Sequence, residues 1–207
     1  HLEPTFQKYD FALLTEEAED DGSRLIKDYF WCIDPLDGTL PFTEGKSGYA
    51  ISIALVKKNG TPVIGVVYDP SEKVLYKAIA GQDCWKNGTQ WKLDFPSKKN
   101  DFIFCCNRSL TQLPVYPTIQ KTIKNIAKNH GLNEVITKQH GGTVMNAIWT
   151  LEETPGCYVV LPKKEDGGGN IWDFVAITCL FNEMGLSPVN CDGKPLQLNS
   201  KTSTFMN

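Results

Sequence analysis

Two aspartates, Asp34 and Asp37, stand three positions apart around a proline, after an apolar stretch and before a Gly-Thr pair. Pro35 fixes its own φ and disfavours helical geometry at Asp34, so the chain is extended up to the first carboxylate. Gly38 permits a tight turn and a close approach of the backbone to a ligand. Carboxylates at the end of a buried strand, beside exposed N–H groups, suit a hard cation held next to a phosphate group.

Two further acidic residues flank this pair along the chain: Glu16, in a Thr-Glu-Glu element, and Asp173, in an Ile-Trp-Asp element that opens an apolar segment. If the four carboxylates converge, two like charges ~4 Å apart cost on the order of 4 kcal/mol at an effective dielectric of about 20. Oxygen ligands without His or Cys predict Mg²⁺ or Mn²⁺ rather than zinc. Asp173 also suits the N-cap of a helix, and the acidic run after Glu16 also suits a solvated loop.

The segment from Trp31 to Thr39, with the Thr-Glu-Glu and Ile-Trp-Asp elements in the same order, resembles the signature of the inositol monophosphatase superfamily. That superfamily comprises magnesium-dependent, lithium-sensitive phosphomonoesterases, among them inositol monophosphatases, CysQ-type 3'(2'),5'-bisphosphate nucleotidases and fructose-1,6-bisphosphatases. The resemblance runs from about Phe11 to about Asn199. It implies an α/β (α+β) fold, a layered αβαβα sandwich of the sugar-phosphatase type.

The resemblance also implies the residues of the site. The implied metal ligands, for two or three Mg²⁺ ions with Mn²⁺ as an alternative, are Glu16, Asp34, the carbonyl of Leu36, Asp37 and Asp173. The implied catalytic residues are Thr39, which would orient the attacking water, and Glu17. The implied substrate contacts are Gly38, Thr39, Gly142, Thr143 and Asp166. For the last three, a simple turn and a flexible glycine-rich loop remain alternatives.

The identity of the phosphate ester stays open. Asn107-Arg108-Ser109 is similar to the Ser-Arg-Ser stretch of CysQ-type nucleotidases, whereas Leu40 stands where those enzymes often have Lys. The first expectation is a Mg²⁺-dependent phosphomonoesterase acting on a small soluble phosphate such as inositol monophosphate. A 3'(2'),5'-bisphosphate nucleotidase is the alternative, and a non-catalytic phosphate-binding fragment or paralogue is an alternative of another class.

Composition narrows the choice of partners. The net charge of -3 provides no basic field for a nucleic-acid polymer, and the apolar runs are too short for a membrane span. The seven cysteines are scattered without a Cys-x-x-Cys pair, which indicates free thiols in a reducing compartment. We therefore expect a cytoplasmic protein whose partner is a small phosphate ester.

The pattern of apolar and turn residues predicts two parts, residues 1–98 with a meander of antiparallel strands and residues 99–207 with alternating strands and helices. The helices are expected at Tyr116–Asn129, Thr143–Leu151 and Trp172–Met184. Since only fourteen residues precede Thr15, the resemblance predicts a fold without the family's N-terminal helices and their Thr-x-x-Asp element. Apolar surface left uncovered in this way would favour weak activity or a homodimer.

Overall fold

The structure is a computed structural model that describes residues 2–94, 101–163 and 168–206. These residues contain two sheets and five α-helices. The larger sheet contains β1 (Ala12–Thr15), β2 (Tyr29–Asp37), β3 (Ala50–Lys57), β4 (Pro62–Asp69), β5 (Val74–Ile79), β6 (Asp83–Lys86) and β7 (Thr89–Trp91). The smaller contains β8 (Asp101–Cys106), β9 (Glu134–Lys138) and β10 (Gly156–Val159). The helices are α1 (Glu3–Tyr9), α2 (Thr39–Thr43), α3 (Tyr116–Asn129), α4 (Thr143–Glu152) and α5 (Ile171–Glu183).

The strands of the larger sheet lie side by side in chain order from β1 to β7. β1 runs parallel to β2, and every later neighbour is antiparallel. Alternating apolar residues form the strands, and Asn-Gly pairs form two of the turns, at Asn59–Gly60 and Asn87–Gly88. The predicted antiparallel meander is confirmed.

The smaller sheet is parallel, in the order β10-β8-β9. Parallel neighbours require crossover connections, and α3 and α4 provide them. Ile123 and Ala127, on one face of α3, are buried, and Ile123 packs with Phe104 and Cys106 of β8. The predicted mixed α/β fold is confirmed.

Helices α4 and α5 from the second half of the chain pack on the larger sheet and complete its main core. The approach of α5 to β4 is close at Gly65, where an added Cβ would lie 2.5 Å from the carbonyl oxygen of Ala176. Only glycine fits there. This contact fixes the position of α5 on the sheet, and with it the carboxylate in the first turn of α5.

Several short elements were not predicted. Helix α1, the four-residue strand β1 and the five-residue helix α2 are too short to show a periodic pattern. Strand β10 ends at Val159, although the apolar run in the sequence continues to Leu161. The boundary expected near residue 98 lies outside the described residues, so the division into 1–98 and 99–207 stays a prediction. Among the described helices, none has the length and apolar character needed to span a membrane.

Candidate metal centre

Strand β2 carries Asp34 and Asp37 to the same corner because it is irregular between them. In a regular strand, residues three positions apart point to opposite faces of the sheet. Here the pairing of β2 with β3 shifts register between Asp34, which faces Ser52, and Asp37, which faces Ala50. Such a bulge redirects side chains. Both carboxylates therefore reach one site, although the spacing alone would separate them.

Asp34 is held by its own strand end. Its Oδ1 atom accepts the backbone N–H of Leu36 at 2.9 Å, and only 1% of the residue is exposed. Burial raises the pKa of Asp34 to about 6, and the charge of Asp173 adds to the rise, against the opposing effect of the Leu36 N–H. The Leu36 carbonyl accepts a long hydrogen bond of 3.5 Å from the Thr39 hydroxyl.

Asp37 is held by the N-terminus of α4. Its two carboxylate oxygens accept the N–H groups of Thr143 at 3.1 Å and Val144 at 3.0 Å. Burial, followed by the charges of Asp173 and Asp34, raises the pKa of Asp37 well above its ordinary value. The two N–H groups oppose this rise.

Asp173 stands in the first turn of α5 and is both a capping residue and a neighbour of the β2 aspartates. Its Oδ2 atom accepts the N–H of Asn170 at 2.8 Å, as part of a capping box. The Ser52 hydroxyl donates to the Trp172 carbonyl at 3.1 Å, which ties this turn to β3 opposite Asp34. Burial raises the pKa of Asp173 to about 6.

The three aspartates, Asp34, Asp37 and Asp173, offer oxygen atoms that all lie within 4.8 Å of one another. Glu16 is outside this group of three and is an exposed residue. The parallel pairing of β1 with β2 places it, one residue after Thr15, beside the β2 aspartates. Partial shielding of its carboxyl from solvent, followed by the charge of Asp34, raises the pKa of Glu16 to about 7.

This cluster fits a divalent cation. None of the ion pairs formed by the described residues includes Asp34, Asp37 or Asp173. Buried carboxylates without a cationic partner are costly, which is the reason for their raised pKa values. An all-oxygen donor set suits Mg²⁺ or Mn²⁺. When bound, such ions lower the pKa of a coordinated water and stabilise charge on phosphate oxygens.

Besides the Gly142-Thr143 element, three other groups of residues were predicted for the site. Gly38 and Thr39 lie at the start of α2, directly after Asp37, and a helix N-terminus leaves its first N–H groups without intrahelical partners. Glu17 is exposed in the turn after β1, next to Glu16. Asp166 lies outside the described residues.

Gly142 is the N-cap of α4 and packs directly against the β2 corner. A Cβ added there would lie 2.3 Å from Oδ2 of Asp37 and 2.7 Å from the Gly38 Cα. Gly142 also donates its N–H to the Gly48 carbonyl at 2.7 Å. The predicted Gly142-Thr143 element therefore reaches the aspartates, with the Thr143 N–H bonded to Asp37.

A cavity of about 460 Å³ adjoins the aspartates and has Thr143, Gly169 and Asp173 in its wall. Asn107 lines it as well, and its Oδ1 atom accepts the Tyr158 hydroxyl at 2.8 Å and the Asn146 amide at 3.3 Å. Asn146 is fully buried on α4, and the sequence reading missed both Asn146 and Tyr158 as parts of the site. An asparagine inside the apolar run of α4 was the one available signal.

Comparison with known proteins agrees with this geometry. The family model described as the inositol monophosphatase family matches residues 2–207. The chain belongs to the inositol monophosphatase family. Over 190 residues it is 24% identical to inositol-1-monophosphatase of Bacillus subtilis (strain 168), an alignment that covers 88% of this chain and 64% of that protein. This family member thus spans less than two thirds of the length of that relative.

A short alignment of higher identity and a structural superposition give two further similarities. Over 57 residues this inositol monophosphatase family chain is 46% identical to the 3'(2'),5'-bisphosphate nucleotidase CysQ of Salmonella typhimurium (strain LT2), covering 28% of the chain and 22% of that protein. The crystal structure of SaIMPase-II with bound 2'AMP superposes with a TM-score of 0.73 at 25% identity. That match covers 96% of this chain and 71% of the other. The predicted family and fold are confirmed.

A Gly142→Ala variant is expected to weaken Mn²⁺ binding by roughly tenfold or more, as when a group that supports a metal ligand is displaced. The added methyl group would collide with Asp37 and Gly38. A titration followed by electron paramagnetic resonance measures the affinity. Gly193→Ala is the control, because no atom lies within 4 Å of its added Cβ. The φ of 77° at Gly185 and of 74° at Gly193 strains an alanine without causing a collision. The control should lose about 1–2 kcal/mol of stability and keep its metal affinity; equal metal affinities in the two variants would contradict the prediction.

Proposed function

We propose that this chain is part of a Mg²⁺-dependent phosphomonoesterase that hydrolyses a small phosphate ester. The observation that carries the proposal is the convergence of Asp34, Asp37 and Asp173 within 4.8 Å, buried and without cationic partners among the described residues. Glu16 beside Asp34 and the Leu36 carbonyl supply further oxygen ligands. Mn²⁺ is the alternative ion, since it accepts the same oxygen ligands.

In this proposal, different residues of the chain bind the metal ions, contact the phosphate group and orient the attacking water. The aspartates hold the cations, and the N–H groups at the start of α2, at Gly38 and Thr39, face the phosphate oxygens. The Thr39 hydroxyl, next to the Leu36 carbonyl, orients the attacking water, with Glu17 as the second catalytic residue. Asp166 contacts the hydroxyl groups of the substrate. The cavity beside Asp173 receives the part of the ester that leaves.

Inositol monophosphate is the first substrate that we propose, in line with the family. A nucleotide is the second candidate, and the wall of the cavity favours it. Five aliphatic or proline side chains line this wall: Leu110, Leu113, Val160, Leu161 and Pro162. A polyol needs polar partners around its ring, whereas a nucleobase packs well on apolar side chains. The local identity to CysQ and the 2'AMP complex of SaIMPase-II support this second candidate.

A substrate panel tests the proposal. Phosphate release is measured with Mg²⁺ from inositol 1-phosphate, fructose 1,6-bisphosphate, 2'-AMP and 3'-phosphoadenosine 5'-phosphate, each with an EDTA control. Release that depends on Mg²⁺ supports the function, and the preferred ester selects between the candidates. Binding of Mg²⁺ and ester without turnover would support the remaining alternative, a non-catalytic phosphate-binding protein.

A Lys163→Met variant is expected to discriminate between the substrate classes. Lys163 lines the cavity and can bind a second anionic group. A hydrogen bond to a charged group contributes about 1.5–3 kcal/mol, so KM for the bisphosphate, 3'-phosphoadenosine 5'-phosphate, should rise roughly 10- to 100-fold. KM for 2'-AMP, which has one phosphate, should change little. Lys124→Met, on the exposed surface of α3, is the matched control; a rise of equal size for both nucleotides would contradict a role in binding a second phosphate.

A homodimer and a cytoplasmic location remain proposals. On the sheet face away from α4 and α5, Leu13, Trp31, Leu55 and Ile64 lie next to one another across β1 to β4. Of these, Leu13 is 38% exposed and Ile64 is half-buried, whereas Trp31 and Leu55 are buried. The exposed apolar surface at Leu13 favours association. The cytoplasm fits the free thiols of the seven cysteines.

A further inference from the structure

The end of the described chain lies against the helix start that carries Asp173. We call residues 198–206 the C-terminal strap. The N–H of Ile171 donates to the Thr204 carbonyl at 2.9 Å, and the N–H of Met206 donates to the Gly169 carbonyl at 3.0 Å. Asn170, between these two contacts, forms a β-bridge with Phe205. The strap therefore fixes the backbone that leads into α5.

A side-chain hydrogen bond extends this contact to the carboxylate. The Thr204 hydroxyl donates to Oδ1 of Asn170 at 3.0 Å. Asn170 is the N-cap of α5, and its backbone N–H donates to Oδ2 of Asp173 at 2.8 Å. The Asp173 carboxylate is thus held by Asn170, and Asn170 by Thr204. Groups that orient a metal ligand in this way commonly contribute 10- to 100-fold to metal affinity.

The strap is itself anchored to the loop that follows the acidic residues after β1. The Arg24 side chain, only 2% exposed, donates to Oδ1 of Asn199 and, at 2.9 Å, to the Ser200 carbonyl. The same guanidinium pairs with Asp20 at 2.8 Å. Asn199 returns hydrogen bonds to the carbonyls of Arg24 at 3.2 Å and Lys58 at 2.8 Å. The beginning of the strap therefore cannot shift without breaking the hydrogen bonds of the buried Arg24 side chain.

We propose that Thr204 is a positioning residue of the metal centre, which acts through Asn170 to orient the Asp173 carboxylate. The proposal rests on the proposed function, because it assumes that Asp173 binds a metal ion. A simple capping role for Asn170 would stabilise α5 without setting metal affinity. A positioning role predicts that loss of the Thr204 hydroxyl raises the dissociation constant for the metal at an unchanged number of sites. A capping role alone predicts an unchanged dissociation constant.

The test is a Mn²⁺ titration of the full chain followed by electron paramagnetic resonance, with the melting temperature of each metal-free variant. Thr204→Val keeps the size and the backbone contacts but removes the hydroxyl. We expect its dissociation constant to rise about tenfold with an unchanged number of sites. Thr204→Ser restores the hydroxyl and should restore the affinity. Thr202→Val is the matched control, because the Thr202 side chain is exposed and, among the described residues, its hydroxyl hydrogen-bonds to the Ser200 hydroxyl rather than to the start of α5.

Asn170→Ser gives an independent answer if Thr204→Val does not fold. Serine is a good N-cap, but its side chain is too short to reach Thr204, so affinity should fall by the same factor. The double variant should be no weaker than either single variant, because both remove one hydrogen bond. An unchanged affinity in Thr204→Val or Asn170→Ser overturns the proposal, as do fewer sites at unchanged affinity or a weak Thr204→Ser. If the unaltered protein binds Mn²⁺ but the variants keep its affinity, only the positioning role of Thr204 is overturned. If the unaltered protein binds no Mn²⁺, the positioning role and the proposed function are both overturned.

Discussion

An Asp34→Asn variant is expected to lose Mg²⁺-dependent phosphate release by about 10³-fold or more, since the lost electrostatic stabilisation amounts to several kcal/mol. The asparagine oxygen can still accept the Leu36 N–H, so the strand end is preserved. The variant removes one of three charges that the site concentrates. Its metal-free form should therefore be more stable by on the order of 1–3 kcal/mol at pH 7.5, because the Asp34 pKa is raised from 3.8 to about 6.

Asp69→Asn is the matched control for this experiment. Asp69 is also buried at a strand end, and its Oδ1 accepts the N–H of Ser71, two residues ahead, at 2.8 Å. It repeats the local hydrogen bond of Asp34 two strands further along the same end of the sheet, outside the group of three aspartates. We expect full activity and unchanged metal binding in this control. An Asp34→Asn protein with normal turnover would show that the aspartate cluster is not the metal centre.

The stability of the metal-free protein is expected to fall as the pH rises from about 4 to about 8. The pKa values of Asp34 and Asp173 are raised to about 6, and that of Glu16 to about 7, above ordinary values of 3.8 and 4.5. Between the ordinary and the raised pKa values, the folded state holds protons that the unfolded chain has released. The stability present at low pH is therefore lost as the pH passes through the raised pKa values.

Mg²⁺ should restore this stability at high pH and have little effect at low pH. At a concentration 100 times its dissociation constant, a ligand stabilises the folded state by about 2.7 kcal/mol. For a chain of this size, that corresponds to a rise in melting temperature of roughly 5–10 °C at pH 8. At pH 5, protons compete for the same oxygens. Thermal melts in Mg²⁺ and in NaCl of equal ionic strength measure the difference; equal Mg²⁺ shifts at pH 5 and pH 8 would contradict the explanation.

Much of the fold was predictable because the elements are regular. The alternation of apolar residues predicts β3 to β5, and Asn87-Gly88 predicts the hairpin of β6 and β7. The spacing of apolar residues predicts α3 at the bounds that the structure gives, Tyr116–Asn129. Strand β1 and helix α2 were missed, because four or five residues are too few to show a period.

The site shows a different limit. The types of the acidic residues indicate their chemistry, but their convergence depends on the irregular pairing of β2 with β3, which leaves no local pattern. The family resemblance implied that these acidic residues meet, but the contacts that support them were not predicted. Thr204 and Asn170 are 34 positions apart, and Arg24 and Asn199 are 175 apart. Contacts at such separations depend on the folded topology, which one sequence does not reveal.

The packing of α4 and α5 on the larger sheet has a consequence during synthesis. The strands of this sheet are complete at Trp91, whereas the helix that finishes its core ends at Glu183. At 5–20 residues per second, the ribosome needs roughly 5–20 s to add the intervening segment. During that time the apolar inner face of the meander is exposed to water and prone to aggregation. We therefore expect newly made chains to need chaperone protection, and slower growth at low temperature to improve their recovery.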